Sequence, residues 1–217
     1  MPIYRQPSVV VTSDGSKTFY SHRFGEHYHS KFGATSESRH VFVGAGYLST
    51  TVSPVTVLEI GFGTGLNAWL TMQEADKMHR PTYYETIERY PVEVRTILKF
   101  SDDKVFLNLH LALWERAEEI TPDFVIQKRL INLQNAVFSN RYDVVYFDAF
   151  SPTVQPELWT VDIFSRIFEA MNPGAILTTY CAKGTVRRMM QKCGFLVEQL
   201  PGPAGKREIL RAKKPEL

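Results

Sequence analysis

Residues 58–70 read "LEIGFGTGLNAWL" and constrain the fold more than any other segment. The apolar run "VTVLEI" (55–60) has the composition of a buried strand. It breaks into Gly61, Gly63 and Gly65, and "TGLNAWLTMQEADK" then shows helical spacing. Glycines let a backbone turn sharply and let a ligand approach it closely. The helix that follows presents free N–H groups at its start. A strand, a tight turn and a helix in succession open a parallel α/β sheet.

The rest of the chain repeats that alternation. "TYYETIE", "DFVIQKRL", "YDVVYFDAF" and "AILTTYC" read as strands. "PVEVRTILKF" opens with Pro91 at an expected first helical position, and "FLNLHLALWERAEEI" reads as a helical insertion. "QPELWTVDIFSRIFEAM" is an amphipathic helix that "NPG" should stop, and Gly194 should end "KGTVRRMMQKC". "FLVEQL" and "REILRA" form an expected closing strand pair across "PGPAGK". Ahead of the sheet, Asp14-Gly15 marks a hairpin turn, followed by loop and short helix. The expected division is residues 1–50 as an extension packed on the core and 51–217 as a Rossmann-like domain.

Gly61, Gly63 and Gly65 give G-x-G-x-G, whereas dinucleotide sites favour G-x-G-x-x-G. Glu59 precedes the turn, and an acidic residue there suits a cationic ligand better than a pyrophosphate. S-adenosylmethionine carries a sulfonium, an ammonium and a carboxylate, and no phosphate. Asn67, in the first turn of the helix, is placed to meet its methionine part. Glu88 ends the next strand, where a carboxylate can accept both ribose hydroxyls and repel a 2′-phosphate. Asp148 ends a buried strand at the sheet edge where ligands bind. Phe150 and Pro152 follow it as an expected clamp for a planar group.

The net charge of +2 does not by itself indicate nucleic-acid binding, but the basic residues gather after residue 183. The two cysteines, Cys181 and Cys193, form neither a metal-ligand spacing nor a disulfide framework. His22, His27, His29 and His40 fit no common zinc pattern and read as surface or packing residues. No signal pattern and no bilayer-length apolar run is present, so a cytoplasmic location is expected.

Several segments together resemble the methyltransferase half of the bacterial bifunctional enzyme for tRNA 5-methylaminomethyl-2-thiouridine. They are "LEIGFGTGLN" (58–67), "YFDAFSPTVQPELW" (146–159), "YCAKGTVRRMMQKCGF" (180–195) and "PGPAGKREILRA" (201–212), with "SKFGATSESRHVF" upstream. The glycine motif is shared by many methyltransferases, whereas "DAFSP", "QPELW" and "KREIL" in this order are far more specific.

The resemblance implies a class I S-adenosylmethionine-dependent methyltransferase fold with a small N-terminal hairpin extension. It implies a stand-alone form without the family's flavin-dependent oxidoreductase domain, hence no flavin, and no metal. The expected acceptor is the 5-aminomethyl group of the wobble uridine, supplied by other enzymes, in a tRNA anticodon stem-loop. The expected catalytic residue is Asp148, orienting the amine, with proton removal a weaker expectation. Asn132 stands where the family has an acidic residue near the adenine. Phe150 is expected to stack on the uracil. Lys183, Arg187, Arg188, Lys206 and Arg207 are expected phosphate contacts, with Arg207 ranked first. Tyr28, Glu37 and Arg39 are expected to form a lid or wall over the methionine end. Two alternatives stay open: an aminopropyltransferase or small-amine methyltransferase of the same fold, and an RNA-binding module without catalysis.

Overall fold

The computed structural model describes residues 6–216. β1 (Ser8–Val11) and β2 (Lys17–Ser21) form the hairpin expected around Asp14-Gly15. β3 (Glu26–His27) adds a third antiparallel strand. A short helix, α1 (Ala34–Ser38), runs directly into a wide helical turn over Arg39–Gly44.

The main sheet begins with β4 (Val55–Ile60), followed by α2 (Leu66–Met78), β5 (Thr82–Glu88), α3 (Val94–Ile97) and α4 (Lys104–Leu111). β6 (Ala117–Thr121) and β7 (Phe124–Leu130) come next, then β8 (Tyr142–Phe147) and α5 (Val161–Ala170). β9 (Met171–Thr179), α6 (Gly184–Lys192), β10 (Leu196–Pro201) and β11 (Glu208–Lys213) complete it. The strand order is β10-β11-β9-β8-β4-β5-β7-β6. The five central strands run parallel, and both edges are antiparallel.

β4 and β8 are buried on both faces, which explains their unbroken apolar runs. One core lies between the sheet and α5/α6, around Leu58, Val145, Phe147, Phe164 and Leu177. The other lies on the α2 side, around Val57, Ala68, Met72, Tyr84 and Tyr146. The N-terminal sheet docks through Phe19, which packs with Ile97 and Phe106. β4 pairs with β5 on one side and β8 on the other, so the order reverses there and a cleft opens beyond the carboxyl ends of these strands.

Several local expectations differ, among them the start of the amphipathic helix, where Pro156–Leu158 form a separate turn and the helix opens at Val161 after the Thr160 cap. The helix after Pro91 is a single turn starting at Val94, because Glu93 is its extended N-cap and Pro91 stands ahead of it. The "AEEI" end of the helical insertion is strand β6, paired antiparallel to β7. "NPG" does not follow the helix as a separate stop: α5 ends at Ala170 and Met171 already pairs with Tyr142. The ladder resumes at Val144 with Ile176, leaving Asn172–Ala175 as an irregularity. Proline has no N–H to give a ladder, and Gly174 turns with φ 78°.

Candidate active site

The main-chain path of the glycine turn is set by its neighbours. Gly61 has φ 95°, and a Cβ there would stand 2.7 Å from the Asp148 carbonyl oxygen. The Asp148 N–H in turn donates to the Ile60 carbonyl at 3.0 Å. The turn after β4 and the end of β8 are thus pressed together, and only glycine permits it. Gly65 has φ 74°, and a Cβ there would meet His110 Nε2 at 2.8 Å. That nitrogen shares a 2.9 Å hydrogen bond with the Thr64 carbonyl.

The cleft at this edge has a volume of about 390 Å³. Ile60, Gly61, Phe62 and Asn67 form its floor, with Asp148 and Ala149 beside them. Ile87, Glu88, Ile131, Asn132, Leu133 and Leu158 line one end. Phe24, Glu26, Tyr28, His29 and Glu37 form an outer wall, together with Phe150, Tyr180 and Lys206.

Asp148 Oδ2 accepts a 2.7 Å hydrogen bond from Asn67 Nδ2. Burial, then the nearby Glu59 and Glu37 charges, push its carboxyl well above the usual range, while Asn67 and Lys206 pull it down. Glu88 Oε1 accepts from the N–H groups of Arg89 and Tyr90 at 2.8 and 2.7 Å, and Oε2 from Gly63 at 3.1 Å. Three backbone donors fix the carboxylate and leave lone pairs free toward the cleft. Phe150 packs on Phe24 (4.6 Å between centroids) and edge-on to Tyr28 (5.0 Å). Glu26 latches this wall to the β8 side, accepting from Ser151 Oγ at 2.6 Å.

Some expected residues lie elsewhere. Glu59 is fully buried beneath the floor, accepting from Thr86 Oγ1 at 2.8 Å, and does not line the cleft. Burial pushes its carboxyl up to about 8. Gly63 and Gly65 shape the turn without lining the cleft, and Pro152 does not line it either. Of the expected C-terminal cations, one lines the cleft. Lys206 enters the wall, 3.0 Å from Glu37 Oε1 and over the Tyr180 ring at 4.2 Å, while Arg207 is exposed outside. Lys183 reaches Thr153, Arg187 reaches Gln199, and Arg188 is exposed, all outside the cleft. Arg39 pairs with Glu74 on the surface of α2 rather than joining the wall.

Phe24, Glu26, His27 and His29 were not legible as site residues. His29, read as packing or surface, is buried between Thr18 Oγ1 (3.0 Å) and Thr64 Oγ1 (3.5 Å), and burial lowers its ring to about 4. It is neutral at pH 7 and ties the wall to the glycine turn.

The cleft carries the carboxylates of Glu26, Glu37, Glu88, Asp148 and Glu157 against the cations Arg89 and Lys206. An acidic cleft with one apolar end suits an adenosine that bears a sulfonium and an ammonium, and opposes a pyrophosphate. Glu88 and Asn132 would hold the nucleoside end, and Asn67 the methionine end. Among the described residues, no group of three or more metal-ligating side chains is present, and no helix is long and apolar enough to cross a membrane.

Fold and cleft together define an S-adenosylmethionine-dependent methyltransferase. Residues 85–215, more than half of the chain, match the family model described as S-adenosyl-L-methionine-dependent methyltransferase, and the chain belongs to that family. It is 28% identical over 219 residues to the tRNA 5-methylaminomethyl-2-thiouridine biosynthesis bifunctional protein MnmC of Stutzerimonas stutzeri, covering 88% of this chain and 32% of that protein. The MnmC of Delftia acidovorans is 30% identical, over 90% of this chain and 33% of that protein. The chain thus spans about a third of these relatives. Among solved structures it is similar to MnmC2 from Aquifex aeolicus, with TM-score 0.78, 24% identity, and coverage of 100% of this chain and 74% of that one. That likeness concerns the fold.

Proposed function

We propose that the protein methylates the exocyclic amine of a 5-aminomethyl-(2-thio)uridine at the tRNA wobble position, giving 5-methylaminomethyl-(2-thio)uridine. The observation that carries this reading is Asp148: a partly buried carboxylate at the floor, facing a cleft with an aromatic wall. The names of the relatives support this substrate class. When bound, S-adenosylmethionine supplies an electrophilic methyl group.

An alkylamine has a pKa near 10.4, so about one molecule in a thousand is neutral at pH 7. Asp148 can accept N–H bonds from the incoming amine and orient its lone pair. Its raised pKa also brings it closer to the amine's own, which eases transfer of a proton from nitrogen to the Asp148 carboxylate. Orientation and electrostatic support of the developing cation remain its principal role. Phe150, with Phe24 and Tyr28, offers stacking faces for the uracil. Lys183, Arg187, Arg188 and Arg207, outside the cleft, would meet phosphates of an anticodon stem-loop. Enzymes that install the aminomethyl group would act before it, in the cytoplasm where tRNA resides.

A second reading, a small amine or polyamine as acceptor, gains from the excess of carboxylates in the cleft. Methyl transfer from labelled S-adenosylmethionine into two tRNA pools separates them. Label confined to the pool bearing 5-aminomethyluridine, recovered as the methylaminomethyl nucleoside, is expected. Label in neither pool, with the cofactor bound, overturns the wobble-uridine reading and favours free amines.

A further inference from the structure

Glu37 enters the cleft wall from α1, and Lys206 enters it from the turn between β10 and β11. Glu37 is buried, and the Ser30 N–H donates to its Oε2 at 2.6 Å. Its Oε1 is also buried yet accepts no hydrogen bond. The Lys206 ammonium stands 3.0 Å from that oxygen as an ion-pair partner and 4.2 Å from the centre of the Tyr180 ring. The Tyr180 hydroxyl donates to the Ala149 carbonyl at 2.8 Å, so this corner is tied to the residue after Asp148. The turn that carries Lys206 is tied down as well. His40 Nε2 donates to the Pro201 carbonyl at 2.7 Å, and Gly205, with φ 81°, packs so closely on Phe32 that a Cβ would overlap the ring. A carboxylate oxygen and an ammonium are therefore held side by side in the cleft that Asp148, Phe24, Tyr28 and Phe150 also line.

A buried acceptor without a donor is costly, so Glu37 Oε1 suits an incoming N–H. An ammonium carries three N–H donors, and one carboxylate does not exhaust them. The pair thus presents an acceptor and a donor 3.0 Å apart. The Watson–Crick edge of uracil is the complement: N3–H donates, and the C4 carbonyl beside it accepts. Through Tyr180 and Ala149, which follow β9 and β8, the pair belongs to the side of the cleft away from Ile87 and Asn132, where the cofactor's nucleoside would sit. We propose that Glu37 and Lys206 read the target base, Glu37 Oε1 taking N3–H and Lys206 the C4 oxygen, while the ring lies against the aromatic wall. The C4 oxygen is common to uridine and 2-thiouridine, so thiolation at C2 leaves both contacts in place. Cytosine presents the reverse pattern. Its N3 lone pair would meet the Glu37 carboxylate and its 4-amino group the Lys206 ammonium, and both contacts repel.

This inference rests on the proposed acceptor. It is tested with the full chain and anticodon stem-loops that differ only in the wobble base: 5-aminomethyluridine, 5-aminomethylcytidine or 3-methyl-5-aminomethyluridine. Wild type should prefer the first over each of the others by at least about 100-fold in kcat/KM. Glu37→Gln, whose amide can donate to cytosine N3, should narrow the uridine-to-cytidine ratio to within about tenfold. Its affinity for S-adenosylmethionine, measured by calorimetry, should stay within about twofold of wild type. A general loss of stability lowers both rates alike and does not narrow the ratio. Wild type that methylates the cytidine or the N3-methylated stem-loop as well as the uridine one overturns the inference and leaves the proposed function standing. A Glu37→Gln that keeps the wild-type ratio does the same. Loss of cofactor affinity in Glu37→Gln also overturns it, since that puts Glu37 on the methionine ammonium. Wild type that methylates none of these stem-loops removes the proposed function, and this base-reading role with it.

Discussion

Asp148 and Phe24 line one cleft, but different forces hold them. Asp148 extends a parallel ladder: its N–H reaches the Ile60 carbonyl, and its backbone presses on Gly61. Phe24 sits in a turn closed by the Gly25 N–H to the Ser21 carbonyl at 2.8 Å, and is held inward by ring contacts and by the Glu26–Ser151 latch. The floor is therefore as rigid as the sheet, and within the wall the Phe24 turn is only as rigid as the turn bond and ring contacts that hold it. A rigid floor suits the precise distances of group transfer, and a turn such as that of Phe24 suits entry of a flipped nucleoside.

The sharpest test of the floor is Asp148→Ala. It should lower turnover by about 10³-fold while cofactor affinity, measured by calorimetry, changes little. Gly61→Ala should cost about 2–4 kcal/mol of stability, because a Cβ meets the Asp148 carbonyl and φ is positive. A melting temperature close to wild type would show that the ladder is softer than described. On the wall, Phe24→Ala should raise the acceptor KM by about tenfold and leave kcat nearly intact. A loss confined to kcat would instead make the wall part of the reacting geometry. Lys206→Gln should weaken acceptor binding by about fivefold, because it breaks the Glu37 pair inside the cleft, whereas Arg207→Gln should change affinity less and mainly flatten its salt dependence. Equal effects from the two would erase the distinction between cleft and rim.

The contrast also explains what the sequence made legible. Local patterns encode the floor: glycines at 61, 63 and 65, apolar strands, and carboxylates where Glu88 and Asp148 leave those strands. Each depends on neighbours close in the chain or on the repeated β–α alternation. The wall depends on contacts across the chain, such as Glu26 with Ser151 and Lys206 with Glu37. Nothing in the identity of Lys206 and Arg207 says which one enters the cleft; the turn between β10 and β11 decides it. Glu59 illustrates the opposite error. Its type and place suggested a ligand contact, but strand alternation turns it toward the α2-side core and away from the cleft. The "NPG" segment misled for a related reason, since Met171 finds a ladder partner in Tyr142 as soon as the helix ends.

The most direct measurement is a crystal structure of the protein with S-adenosylhomocysteine. The account predicts ribose hydroxyls on Glu88, adenine beside Asn132, and the sulfur facing Asp148 with open cleft between them for an amine. An adenosine bound against the Phe24–Tyr28 wall, or a sulfur turned away from Asp148, would contradict it.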